Sequence, residues 1–352
     1  MEYLFQNRIL YNREQLNRLL KEQSKNIIKT KCLIDKCPNE WDKIKKVIHL
    51  YEYVYSTSFY RKNVSNVIPI SRSFFKMVEM IDYYQLLNNK DNKITCLAEA
   101  PGGFIQSFLM NKNINRIDAI TLISDDSKIP YWNKSLLNKD KVFFHTGINK
   151  DGDLYNLKNV LSFISEIGKS TVDLVTGDGG FDYSSNYNDQ EKDSLKLIFS
   201  EIFIAINIQK MGGTFICKIF DIFCEQTFQL LYVLSLSYNK ISIYKPCISR
   251  LSNSEKYIVC KDFRGYNKEI VNKMIHNFEN NKLDYCIPED FLSSIYDING
   301  KYLHIQMNQI HRGIEMIRKR TRLYPSKIQI DSAIEWCEKY NIDINKDCIY
   351  LN

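Results

Sequence analysis

The sequence predicts an α/β fold: a mostly parallel, seven-stranded sheet with an antiparallel last strand, helices on both faces, and helical extensions at either end. Three observations carry this. From about residue 94, short apolar runs alternate with longer amphipathic stretches, the pattern of strands joined by crossover helices. Only about ten residues separate the last two runs, too few for a parallel crossover, so that pair is expected to be antiparallel. Before residue 65 and after residue 264 the apolar residues recur at helical spacing.

The elements follow in chain order. Residues 1–65 form a helical N-terminal region, where basic stretches such as Lys43-Ile-Lys-Lys46 interleave with Ile44, Val47, Ile48 and Tyr51. Residues 66–265 hold the sheet, with strands expected at Ile94–Ala100, Asp118–Ser124, Lys141–Thr146, Val172–Thr176, Thr214–Phe220, Lys240–Tyr244 and Lys256–Lys261. Helices are clearest at Leu154–Ile167, Leu195–Ile208 and Gln226–Ser237, each long enough for a crossover. Residues 266–352 read as a helical C-terminal region with basic Arg318-Lys-Arg320 and Arg322.

Composition narrows the function classes. With 352 residues, 44% hydrophobic and 25% charged, the chain can bury a large core. No apolar run approaches a membrane span, and the opening Met1-Glu-Tyr-Leu-Phe-Gln lacks signal-peptide layout, so membrane and secreted classes are disfavoured. The 10 cysteines show no paired spacing and read as reduced thiols. The 5 histidines are too dispersed for a zinc finger or an H-E-x-x-H site, so no metal is expected. A net charge of +7 favours a polyanionic partner if it is clustered.

Several segments could carry chemistry. Leu97-Ala-Glu-Ala-Pro-Gly-Gly-Phe104 leaves the first strand and opens a helix, where two glycines allow close backbone approach to a ligand, or simply make a turn. Val172-Asp-Leu-Val-Thr-Gly-Asp178 delivers a carboxylate at the C-terminal end of a strand, where open α/β sheets hold ligands, although Asp-Gly is also an ordinary turn pair. Lys218 interrupts an apolar strand, where it is either paired or snorkels to water. Glu255 precedes an alternating β-branched run; Ser252-Asn-Ser-Glu255 also fits a helix cap, but the alternation favours a strand. An antiparallel strand there starts on the rim where the parallel ones end, so Asp178, Lys218 and Glu255 converge. Lys76 lies roughly opposite the stripe Phe74, Met77, Val78 and Ile81, and periodicity alone makes it a solvated lysine. Gly168-Lys-Ser170 lacks the upstream glycine of a phosphate-binding loop, Ser73-Phe-Phe-Lys76 lacks the companion motifs of a penicillin-binding site, and Asp151-Gly-Asp153 lacks the other calcium-loop ligands.

A parallel sheet closing in an antiparallel pair is the Rossmann-like layout of class I methyltransferases. Four ordered segments sharpen that likeness: Ser71-Arg-Ser-Phe-Phe-Lys-Met-Val-Glu79, Glu99-Ala-Pro-Gly-Gly-Phe104, Asp173-Leu-Val-Thr-Gly-Asp-Gly-Gly180, and Lys245-Pro-Cys-Ile-Ser-Arg-Leu-Ser-Asn-Ser-Glu-Lys-Tyr-Ile-Val-Cys260. The chain resembles the FtsJ-like (RrmJ-like) family of S-adenosylmethionine-dependent RNA 2′-O-ribose methyltransferases over residues 65–265. The last segment is most similar to that of the cap-specific mRNA enzymes. The resemblance implies a Lys-Asp-Lys-Glu tetrad at Lys76, Asp178, Lys218 and Glu255, and S-adenosyl-L-methionine as cofactor. It implies cofactor contacts from Glu99, Pro101, Gly102, Gly103, Phe104 and Asp178, with Asp125 at the ribose and Asp153 at the adenine. The sequence departs from many members in having Cys96 where they carry an acid, with Glu99 closer to the proline.

The activity so implied is methylation of a ribose 2′-hydroxyl, on the first or second nucleotide of capped mRNA, with ribosomal or transfer RNA methylation and a non-catalytic RNA-binding subunit as the alternatives. Expected partners are 5′-capped mRNA and other capping or transcription proteins, with no membrane. The expected location is the cytoplasm or a virion, the nucleus being a second option; the bias towards Asn, Ile, Lys and Tyr suits an AT-rich genome such as that of a large DNA virus. In this reading Lys218 accepts or steers the hydroxyl proton, its pKa lowered by burial and by Lys76.

Overall fold

The computed structural model describes residues 1–5, 11–180, 189–321 and 323–351. Its chain order begins with strand β1 (Glu2–Leu4), helices α1 (Arg13–Lys31) and α2 (Pro38–Val47), and α3 (Ser73–Tyr84). The α/β core then runs β2 (Asn92–Leu97), α4 (Gly103–Phe108), β3 (Ile114–Ile120), β4 (Val142–His145), α5 (Leu157–Ile167), β5 (Val172–Gly177), α6 (Gln190–Ile208), β6 (Gln209–Ile219), α7 (Glu225–Ser237), β7 (Tyr238–Tyr244) and β8 (Lys256–Phe263). Helices α8 (Lys268–His276), α9 (Glu289–Arg318) and α10 (Lys327–Lys339) follow.

The strands form one sheet in the order β1-β7-β8-β6-β5-β2-β3-β4. The five strands from β6 to β4 are parallel, and β8 inserts antiparallel between β6 and β7, as the short connection requires. The seven expected strands are all present. An eighth, β1, was not foreseen: it pairs antiparallel with β7 on the edge and is only three residues long, too short for an alternating pattern.

The sequence places β3 about four residues too late. Its chain leaves the sheet after Ile120 because the Ile123 N–H turns aside to donate to the Asp151 carbonyl at 2.7 Å. Helix α5 starts at Leu157, not Leu154, because the Asn156 side chain caps it by accepting from the backbone of Lys158 and Asn159.

Alternate strand residues feed two cores. Val175, Phe215 and Cys217 face α5, α6 and α7, while Leu174, Ile216 and Val259 face α3 and α4. The two extensions are not separate from the sheet: Leu16 and Leu20 of α1 and Leu292 and Ile295 of α9 join the first core. Helix α2 packs on α9 through Trp41, Ile44 and Ile310, and α10 covers Phe74 and Phe75 of α3. The sheet reverses its order between β2 and β5, the point at which open α/β sheets bind ligands.

Candidate active site

Four charged side chains meet at that switch point as two ion pairs. Lys76 Nζ lies 2.6 Å from Glu255 Oε1, and Lys218 Nζ lies 3.4 Å from Asp178 Oδ1 while donating to the Asp178 carbonyl at 2.6 Å. All four side chains are at most 18% exposed, so solvent screens the pairs weakly. Tyr257, on β8 opposite Lys218, donates its hydroxyl to Asp178 Oδ1 at 3.0 Å, and Ser249 donates to Glu255 Oε1 at 3.1 Å.

The solvated reading of Lys76 from periodicity is therefore corrected. The face of α3 away from its main apolar stripe is roofed by the 245–255 segment. Glu79, fully buried one turn further along α3, pins that segment by accepting from the Cys247 N–H at 2.7 Å and the Tyr244 hydroxyl at 2.5 Å. Glu255 immediately precedes strand β8, as the alternation predicts, and does not start a helix.

Electrostatics also correct the expectation for Lys218. Burial alone would lower its pKa, but Asp178, Glu255 and Glu201 act in the opposite sense and leave it raised. Burial would likewise raise the Glu255 carboxyl, but Lys76 and Lys218 outweigh it and bring it down to about 2. Two lysines that the sequence did not single out are pushed the other way. Lys245 falls to about 7, through burial and the charge of Lys256, and Lys256 itself falls to about 8, mainly through burial. Lys245 Nζ donates to the carbonyls of Asn253 and Glu255 at 2.7 and 2.6 Å, closing the loop that presents Glu255.

Three of the four, Asp178, Lys218 and Glu255, line a cavity of about 1230 Å³, with Lys76 behind Glu255 and off its wall. Its wall includes Glu99, Pro101, Asp153, Asp178, Lys218 and Glu255. Other expected cofactor residues stand elsewhere. Asp125 is exposed and off the wall, whereas its neighbour Asp126 is on it, because the chain turns away after β3. Phe104 is fully buried in the core, packed near Tyr257. Gly102 has φ +108°, a conformation that favours glycine, and a Cβ there would lie 2.3 Å from Leu136 Cδ1. A Cβ on Gly103 would meet the hydroxyls of Ser71 and Ser73 at 2.3 and 2.2 Å, so its close approach is to the start of α3.

Whether these residues suit a sulfonium cofactor with an ammonium and a ribose can be tested on Glu99. Its Oε2 accepts from Thr176 at 3.2 Å, while Oε1 is buried with no hydrogen-bond partner among the described residues. Burial and the nearby Asp178 raise its pKa well above the carboxylate range. A cation entering the cavity would reverse that balance, so the orphaned oxygen fits an ammonium partner. Asp126 and Asp153 are available to hydroxyl and amino donors further along the wall.

The N-terminal segment reaches the same site. Glu52, fully buried, is clasped by Arg250 at 2.9 and 2.7 Å and faces Arg72 at 3.7 Å; Arg72 precedes Lys76 by one helical turn, and Arg250 precedes Glu255 by five residues. Lys31, at the end of α1, pairs with buried Asp221 at 2.7 Å. Single-sequence reasoning missed these groups, although Glu201 in the apolar run Ile198–Ile208 carries the same signal that exposed Lys218: a charge where burial is expected.

Comparison with known proteins agrees with this geometry. Over 282 residues the chain is 27% identical to a zebrafish (Danio rerio) cap-specific mRNA (nucleoside-2′-O-)-methyltransferase 2, covering 72% of this chain and 38% of that protein. It is 31% identical over 246 residues to the cap-specific methyltransferase 1 of Caenorhabditis elegans, covering 66% of this chain and 26% of that one. It is 32% identical over 197 residues to a Caenorhabditis briggsae protein named as an inactive cap-specific methyltransferase 1B, covering 53% and 23% of the two chains. The chain thus spans less than two fifths of the length of these relatives. The model of the FtsJ-like methyltransferase family matches residues 69–263, more than half of the chain and a span that contains the four paired residues, and on that match the chain belongs to the FtsJ-like methyltransferase family.

Proposed function

We propose that this chain transfers a methyl group from S-adenosyl-L-methionine to a ribose 2′-hydroxyl of RNA, on the first or second nucleotide of capped mRNA. The observation that carries this is the pair of buried ion pairs, Lys76–Glu255 and Lys218–Asp178, of which Glu255, Lys218 and Asp178 line one cavity together with Glu99, whose Oε1 has no hydrogen-bond partner among the described residues. The names of the curated relatives supply the cap and the 2′-oxygen as the substrate class.

The cofactor supplies an electrophilic methyl on a positively charged sulfur. Glu99 would hold its ammonium, with Asp126 and Asp153 along the rest of it. The chain's task is to align a weakly acidic hydroxyl with that methyl and to manage its proton. Lys76 and Glu255 neutralise one another, so together they can fix a hydroxyl by donating to and accepting from it. Lys218, held by Asp178, starts as an ammonium; it accepts the hydroxyl proton only after losing its own. The competent fraction then rises with pH, and methyl transfer should do the same until another group intervenes.

The test is transfer of labelled methyl to matched short RNAs bearing either a methylguanosine cap or a 5′-triphosphate. The expected result is cap-dependent transfer that Lys218→Ala abolishes. Equal transfer to both RNAs would favour ribosomal-type substrates. No transfer by the wild type would favour the non-catalytic reading, which the relative named inactive keeps in play.

A further inference from the structure

Behind the turn that carries Asp178 lies a carboxyl with no assigned role. Glu201 projects from α6, only 1% exposed, as the one ionisable residue of the mostly apolar run Ile198–Ile208. Its Oε2 accepts the Cys217 thiol at 3.0 Å, while Oε1 has no hydrogen-bond partner among the described residues. The two glycines flanking Asp178 rest on this group. A Cβ on Gly177 would lie 2.6 Å from the Glu201 carboxyl, and one on Gly179 would lie 3.0 Å from Oε1 and 2.3 Å from Leu197. Any side chain at either position would push Asp178 off its seat.

We propose that Glu201 is a positioning residue for methyl transfer: its carboxyl is the platform on which the Gly177–Gly179 turn is seated, and through that turn it sets the Asp178–Lys218 pair. The inference rests on the methyltransferase reading above. An apolar side chain could support the turn, but it could not hold the Cys217 thiol or act on Lys218. The titratable groups facing Glu201 are Cys217 and Lys218 on β6 and Asp178 at the end of β5. Burial raises the Glu201 carboxyl to about 8, against the pull of Cys217 and Lys218. Near neutrality it is therefore mainly uncharged, which leaves Asp178 as the anion paired with Lys218. As it ionises above that range, it holds the Lys218 proton more tightly.

The experiment is the pH dependence of kcat and of KM for capped RNA, from about pH 6 to about pH 10, for wild type, Glu201→Gln and Glu201→Ala. Thermal melting of each variant reports its folding. Glu201→Gln keeps the size and removes the charge, so its alkaline rise in kcat should move to lower pH with KM unchanged. Glu201→Ala removes the platform and should lower kcat by about tenfold or more, again with KM unchanged. If Glu201→Ala does not fold, Glu201→Gln alone decides through the position of its pH profile. A Glu201→Gln profile superimposed on that of wild type overturns the proposal and leaves the methyltransferase reading standing. A wild type that methylates none of the RNAs overturns both.

Discussion

Replacing Lys76 by Met tests the paired site through stability, independently of activity. The substitution keeps the length and removes the ammonium 2.6 Å from Glu255. In the folded chain the Glu255 carboxyl is held at about 2 against an ordinary 4.5, burial being outweighed first by Lys76 and then by Lys218. At about 1.4 kcal/mol per pH unit, that difference is worth about 3 kcal/mol to the folded state. Lys218 and Lys245 share the pull, so Lys76 accounts for about 2 kcal/mol of it. Both side chains are under a fifth exposed, so little of this is lost to solvent. The sign follows from linkage. A depressed folded pKa contributes stability that is complete above the unfolded value and is lost as pH falls from 4.5 towards 2. Urea denaturation should therefore show wild type about 2 kcal/mol more stable than Lys76→Met at neutral pH, with the gap closing below about pH 4.5. A gap unchanged between neutral pH and about pH 3, or absent at neutral pH, would refute the ion-pair reasoning.

Three further outcomes are expected. Gly152→Ala places a Cβ 1.8 Å from the Thr121 carbonyl at φ +65°, so it should cost more than about 2 kcal/mol in urea denaturation and weaken S-adenosylhomocysteine binding measured by calorimetry. Tyr257→Phe removes the hydroxyl donated to Asp178 and should lower kcat by about fivefold to tenfold with the melting temperature little changed, as steady-state kinetics and thermal melting would show. His49 is buried, and burial followed by Arg72 and Arg250 lowers its pKa well below 6.5, so it folds neutral. Its contribution is complete above about pH 6.5 and lost as pH falls below it, so stability measured from about pH 7 to about pH 5 should decline less steeply in His49→Asn.

The legible part of the fold was the part encoded in local pattern. Strands buried on both faces read as apolar runs, and the eleven-residue gap before Lys256 announced the antiparallel insertion, which in turn put Glu255 on the same rim as Asp178 and Lys218. Lys76 was legible only through motif likeness: its partner lies 179 residues away, and no helical period contains that information. That Asp125 lies off the cavity wall and Phe104 in the core was not legible for a related reason, since a loop's path and a side chain's choice between core and cavity depend on neighbours distant in sequence. The pKa of Lys218 was misjudged in sign because burial was visible in the sequence whereas the sum of the surrounding carboxylates was not. Glu52 and Lys31 belong to segments that become part of the site only once the chain has folded.

The seating of α1 and α2 on α9 has a consequence in time. Lys31, Trp41 and Lys45 line the cavity, as does Gln306 of α9, so the cleft is bounded by segments far apart in the sequence. A ribosome releases α1 and α2 well before α9. Until then Leu16, Leu20 and Ile27, all buried in the finished protein, lack part of their cover. This wall depends on contacts of long sequence separation, the kind that form slowly, and the sheet does not need it to pair.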